Sequence, residues 1–140
     1  MSGVQLEVQT HARAEMVDIT ALVDEIVRGA RVADGACMVF CPHTTAGVLV
    51  TENTDPAVLS DILNQLDRLV PMTGPYQHRE GNAHAHIKAA LVGCGVTVPV
   101  SGGRLALGTW QGIFLAEFDG PRRRRLRVEM LPLVGPAATR

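Results

Sequence analysis

Apolar and polar residues alternate at the start of the chain, with Val4, Leu6 and Val8 set against polar neighbours. This is the period of two expected of a half-buried strand, and residues 16–19 predict a second strand returning beside it. From Thr20 the period changes. Leu22, Val23, Ile26 and Val27 recur at helical spacing, Thr20 is placed to cap the helix, Asp24 lies four residues before Arg28, and Gly29 is the expected stop. The short apolar run 36–41 predicts a buried central strand. After the break at His43, Thr44 and Thr45, residues 48–51 resume β-type character, so His43 falls at a strand end.

Asp55-Pro56 is a strong helix start, because aspartate caps free amides and proline at the first helical position loses no hydrogen bond. The helix is expected to reach about Val70, burying a stripe of Val58, Leu59, Ile62, Leu63, Leu66 and Leu69. Residues 71–81 read as an irregular connection that carries His78 and Glu80, and loops held by a rigid scaffold often carry function. Asn82 is placed to cap a third helix over 83–92, ended by Gly93. In an intact helix His84 and His86 point roughly 160° apart, since each residue advances about 100°. They cannot then share one ion, and only one of the two is a candidate ligand.

The rest of the pattern is β-rich. Val96, Val98 and Val100 alternate, Ser101-Gly102-Gly103 turns, Leu105 and Leu107 alternate again, and 111–118 is a long apolar strand. Asp119-Gly120-Pro121 signals a turn into a last strand, 122–131, with Leu126, Val128 and Met130 on one face and Arg123, Arg125 and Arg127 on the other. This order predicts a two-layer α+β fold of mostly antiparallel strands with about three helices.

The length of 140 residues suits one domain spanning residues 1–140, and 46% hydrophobic with 19% charged residues argues against disorder. A net charge of -1 gives no global pull toward nucleic acid. The run Arg122–Arg127, broken only by Leu126, reads either as a phosphate contact or as the solvated face of a strand. Cys37, Cys41 and Cys94 lack CxxC spacing and read as reduced thiols. The first residues show no charged leader with an apolar stretch, and no window has the length of a membrane span. The expectation is a cytoplasmic protein with no membrane partner.

Chemistry concentrates in the histidines. Three of the five, His78, His84 and His86, fall in one stretch, and His43 opens Pro42-His43-Thr44-Thr45-Ala46. His43, His78 and His86 come from a strand end, a loop and the first turns of a helix, and three nitrogens leave a fourth position for water or substrate, as an active zinc site requires. Magnesium would need carboxylates such as Glu80. The competing reading makes each histidine a surface or hydrogen-bonded residue. Glu80 has three open roles, as general base, ligand or carboxylate orienting an imidazole, against that of an exposed loop acid. Lys88, the sole lysine, can bind an anionic substrate or lie on a solvated helix face. Thr44 and Thr45 can donate to phosphate or form an ordinary polar turn. Asn53 has no evident structural task, and Trp110, between Gly108 and Gly112, can stack on a heterocycle or fill an interface. No GxGxxG, GxxxxGK[ST] or GxSxG motif is present, so dinucleotide, P-loop and α/β-hydrolase readings lose their usual support.

Pro42-His43-Thr44-Thr45-Ala46, Asn53-Thr54-Asp55-Pro56 with Asp61, residues 78–88, and Gly108-Thr109-Trp110-Gln111-Gly112-Ile113, in that order, strongly resemble the YjbQ-like family, whose members are often labelled secondary thiamine-phosphate synthase enzymes. The resemblance covers nearly the whole chain. It implies a β-sandwich core, a homotrimer, and a polar cluster near a subunit boundary into which His43, Thr44, Asn53, His78, Glu80, His86, Trp110 and Gln111 carry over. The label implies a metal-using enzyme that joins a pyrimidine pyrophosphate to a thiazole phosphate, with a divalent ion, zinc or magnesium, and a basic residue stabilising the leaving group. Two alternatives accompany it: a metal-dependent hydrolase with His43, His78 and His86 activating water and Glu80 as base, and a nonenzymatic trimer that binds metal or a small ligand.

Overall fold

The alternating start forms strand β1 (Val4–Gln9), followed by β2 (Glu15–Asp18), in the computed structural model, which describes residues 3–133. The order continues with α1 (Thr20–Ala30), β3 (Gly35–Phe40), β4 (Ala46–Glu52), α2 (Pro56–Leu69), α3 (Ala83–Val92), β5 (Gly95–Ser101), β6 (Arg104–Leu105), β7 (Gln111–Glu117) and β8 (Arg123–Pro132). The strands make two antiparallel sheets, one ordered β1-β8-β3-β5-β6 and the other β2-β7-β4. The α+β sandwich expected from the sequence is therefore the fold. No helix among the described residues is long and apolar enough to cross a membrane.

The unbroken apolar run of β7 has a simple cause: both of its faces are buried. Ile113 and Leu115 point into the main core between the sheets, with Val39, Val98, Leu126 and Val128 opposite and Val23 and Val27 of α1 closing it. Ala116 and Phe118 point the other way, onto Ala85 and Ala89 of α3 and Leu63 and Leu66 of α2. Each fully buried side chain such as Leu115 contributes about 1.5–3 kcal/mol. The small Ala85 and Ala89 let α3 lie close to the three-stranded sheet.

Several local expectations need correction. Thr20 is the first residue of α1 and not its cap; Asp18 Oδ1 accepts from its amide at 3.0 Å and from its hydroxyl at 2.6 Å, which is the capping task. The helix runs past Gly29 to Ala30 and is closed by Arg31 in the left-handed region at φ 56°. The i,i+4 bond between Arg28 and Asp24 forms at 2.9 Å as expected. Asp55 caps α2 through Ala57 N–H at 2.9 Å, yet no residue of that helix is fully buried and Leu69 is 65% exposed. Its stripe rests on the outside of the secondary core. Leu107 lies beyond β6, and Asn82 makes no side-chain cap for α3.

Candidate functional site

Four connections converge where the two sheets meet. The β3–β4 link brings His43, Thr44 and Thr45; the α2–α3 loop brings His78 and Glu80; the start of α3 brings Asn82 and His86; and the β7–β8 turn with β8 brings Asp119, Arg122 and Arg124. Together they line an open cleft of about 440 Å³. His78 and His86 meet edge to face, with ring centroids 5.0 Å apart and planes at 84°. His84 points away, 4% exposed, with Nδ1 3.2 Å from Lys88 Nζ, as the helical spacing requires.

Below the cleft lies a buried ionic network. Glu117, fully buried, ends β7 in one sheet, and Arg124, 3% exposed, sits on β8 in the other. Glu117 Oε1 accepts from Arg124 Nε at 2.8 Å and from the Thr10 hydroxyl at 2.8 Å; Oε2 accepts from Arg124 Nη2 and from the Asp119 amide at 3.0 Å. Burial alone would raise the Glu117 carboxyl, but these donors outweigh it and hold it below the ordinary range. Arg124 Nη2 also donates to Thr45 Oγ1 at 2.9 Å. Nη1 has no protein partner among the described residues, while Arg124 lines the cleft.

His43 is fixed by its backbone neighbour. The Arg125 amide donates to His43 Nε2 at 2.9 Å, so the proton of the neutral ring sits on Nδ1. Desolvation, and next the Arg124 guanidinium, hold His43 below the usual imidazole range, which favours that neutral ring. Asp119, raised by burial but lowered more by Asn82 Nδ2 at 2.9 Å and Arg122 Nη2 at 3.0 Å, is held ionised at the cleft wall. Asn82 Oδ1 is buried with no partner among the described residues.

The expected three-histidine metal centre does not fit this arrangement. Ligation needs a lone pair, and the His43 Nε2 lone pair is engaged by an amide while Nδ1 carries the proton. Among the described residues no three His, Cys, Asp or Glu side chains are grouped to hold an ion. His78 and His86 are left as a pair.

The expected binding residues divide. Thr44 is exposed on the cleft, and Thr45 lines it too but is 7% exposed, with its hydroxyl oxygen accepting from Arg124 Nη2. Lys88 is neither a substrate contact nor on a solvated face: it is 1% exposed and its Nζ lies 2.5 Å from Asp67 Oδ1. Asn53, Trp110 and Gln111 cluster at the other end of the β4–β7 pair, where Glu52 faces Gln111, whereas Ala46 faces Glu117 beside the cleft. At the rise of an antiparallel strand the two ends are roughly 20 Å apart. There the Asn53 amide donates to the Trp110 carbonyl at 2.9 Å, and a Cβ on Gly112 would come within 2.8 Å of Asn53 Cβ, which is why that position has none. Sequence reasoning missed Glu117, Asp119 and Arg124. Arg124 had a signal, since it shares the parity of Leu126 and Val128 in β8.

These features define an α+β sandwich with a histidine- and arginine-lined cleft at the corner between its sheets. The chain belongs to the UPF0047 protein YjbQ-like family, which matches residues 4–132. A UPF0047 protein of Methanocaldococcus jannaschii is 47% identical over 125 residues, covering 89% of this chain and 91% of that protein. UPF0047 protein YugU of Bacillus subtilis is 44% identical over 127 residues, covering 90% and 96%. A crystal structure of a conserved YjbQ/UPF0047 protein from Clostridium acetobutylicum is 48% identical with a TM-score of 0.90, covering 91% of this chain and 99% of that one. One from Sulfolobus solfataricus, described as a YbjQ-like protein of unknown function, is 35% identical with a TM-score of 0.90, covering 94% and 96%. These findings confirm the family and correct the activity attached to it. The relatives carry only UPF0047 or unknown-function descriptions, and nothing in them supports thiamine-phosphate synthesis, hydrolysis by a metal-bound water, or a trimeric binding protein.

Proposed function

We propose that the corner cleft receives a small metabolite through its oxyanion, a phosphate or a carboxylate, and exchanges a proton with it. The observation that supports this most is Arg124: a nearly fully buried guanidinium, neutralised on one edge by Glu117, lines the cleft, and its Nη1 has no hydrogen-bond partner among the described residues. A buried cation with an unused donor favours an anion that completes its hydrogen bonding. His43 adds the Nδ1 proton as a second donor, Thr44 a hydroxyl and Arg122 a further charge, while the Asn82 carbonyl oxygen can accept from a ligand hydroxyl or amine. His78, Glu80 and His86 are the groups on the cleft wall whose side chains can take up or release a proton.

Inorganic phosphate and malonate serve as probes. Titration followed by amide and imidazole NMR is expected to saturate, with shifts at His43, Thr44 and Arg124, and each of His86→Ala and Arg122→Ala to weaken binding about tenfold, or about 1.4 kcal/mol. Unchanged affinity in both variants would remove the site from consideration.

The reading includes a divalent ion that enters with the anion, held by the His78–His86 pair and by the ligand's own oxygens. Imidazole donors suit zinc better than magnesium. It also includes a homotrimer in which a neighbouring copy brings its Asn53, Trp110 and Gln111 to the cleft, supported by their exposed position far from the cleft of their own chain and by Trp110 being 62% exposed. Sedimentation at micromolar concentration is expected to give three times the chain mass; a stable monomer there refutes this part.

A further inference from the structure

The β3–β5 pairing sets two thiols against each other. The register runs from Gly35 opposite Val100 to Phe40 opposite Gly95, and the ladder continues one step further, where the Cys41 amide donates to the Cys94 carbonyl at 2.7 Å. Residues directly opposite in an antiparallel ladder send their side chains to the same face, with Cα atoms about 5.5 Å apart in a hydrogen-bonded pair. That separation lies within the roughly 4.4–6.8 Å that disulfides span. The Cβ atoms must approach by about 1 Å. Movement of that size is easiest on the Cys94 side, since Gly93 and Gly95 flank it and carry no side chains to repack.

The two thiols are unequally placed. Cys94 is exposed and lines a shallow extension of the cleft together with His43 and His86, so a reagent in solution reaches it first. Cys41 is 1% exposed, packed in the main core with Sγ 3.5 Å from the Ala46 carbonyl oxygen, so it meets only what Cys94 already carries.

We propose that Cys41 and Cys94 are an oxidisable dithiol, a modification site for low-molecular-weight disulfides that reversibly ties the end of β3 to the segment following α3. The Cys94 thiolate attacks one sulfur of a reagent disulfide, breaking its S–S bond, releasing one reagent thiolate and leaving a mixed disulfide. The Cys41 thiolate then attacks Cys94 Sγ and expels the second reagent thiolate. Two protein thiols are oxidised to one disulfide, the reagent is reduced to two thiols, and the two protein protons pass to the released thiolates. The new bond joins the strand leading into His43 to the segment leaving the helix that carries His86. The proposal is independent of the anion reading.

The test exposes the folded full-length chain to excess glutathione disulfide, blocks remaining thiols, and maps peptides by mass. The expected product lacks two hydrogens, contains a linked Cys41–Cys94 peptide and a free Cys37, and reverts with dithiothreitol. Cys37 is the internal control, since it is fully buried and faces Val98 across the ladder with no thiol opposite it. Cys41→Ser is expected to stop at a glutathione adduct on Cys94, and Cys94→Ser to take up nothing. A persistent adduct on Cys94 in the unmodified chain, a disulfide between chains, or no reaction at Cys94 would each overturn the proposal.

Discussion

Replacing Glu117 by alanine is expected to be among the most damaging single changes to this chain, lowering stability by about 3–5 kcal/mol and the thermal midpoint by roughly 10–20 °C. The reason is what stays behind. Arg124 would keep its charge in a site where it is 3% exposed, with only Thr45 to accept from it, and the Asp119 amide would lose its acceptor, while the Thr10 hydroxyl would be left with the Arg122 carbonyl at 3.0 Å. Because Glu117 and Arg124 belong to different sheets, the loss falls on the seam that holds the cleft walls together. Replacing both, Glu117→Leu with Arg124→Met, is expected to recover most of the stability while abolishing phosphate binding, since no buried charge is then left unpaired. If the double variant is no more stable than Glu117→Ala, the ion pair is not the source of the loss.

The same pair gives a pH signature. The Glu117 carboxyl is held below its ordinary value of 4.5, so its contribution is whole above that pH and is lost as pH falls through the lower, folded value. Urea unfolding at a series of pH values is expected to show the gap between the unmodified chain and Glu117→Gln closing on the acid side. A gap that widens there would mean the carboxyl is not stabilised in the fold.

Much of the scaffold could be read along the chain because its signals are local. Asp55-Pro56 starts α2 through a cap two residues long, and the alternation of β8 separates its buried from its exposed positions. The opposed directions of His84 and His86 follow from helical pitch alone, and the structure places one against Lys88 and the other in the cleft. What escaped was set by distant partners. Nothing near Glu117 announces that its strand end will meet Arg124 across a turn and Thr10 across 107 positions of sequence. The α2 stripe has the spacing of a core helix, but spacing cannot say how much sheet remains to be covered, and the buried helix positions of the second core, Ala85 and Ala89, belong to α3. Likewise the motif that groups His43 with Trp110 is real in sequence, while the length of the β4–β7 pair separates them within one chain.

Lys88 allows a second sharp contrast, in which deleting a half-exposed partner is expected to harm the fold more than deleting the buried residue itself. Lys88 Nζ is held by Asp67 Oδ1 at 2.5 Å and by His84 Nδ1 at 3.2 Å, and Arg13 Nη2 stands 3.7 Å from the other Asp67 oxygen. The Lys88 hydrogen bond is the main cause holding Asp67 below the usual carboxylate range, and desolvation, followed by the charges of Lys88 and Arg13, keeps His84 low as well. Asp67→Ala would strand two cations against each other, one of them 1% exposed, and Arg13 Nη1 already has no partner among the described residues. The expected loss is about 2 kcal/mol, below that of a fully buried pair because 42% of the Asp67 side chain is in water. Lys88→Met, by contrast, removes the desolvated charge and keeps the volume, leaving Asp67 to water and Arg13, so the expected change is within about 1 kcal/mol. Urea midpoints for the two variants decide the matter. If Lys88→Met proves the more damaging, the ammonium itself holds α3 against α2, and the asymmetry argued from solvent access is wrong.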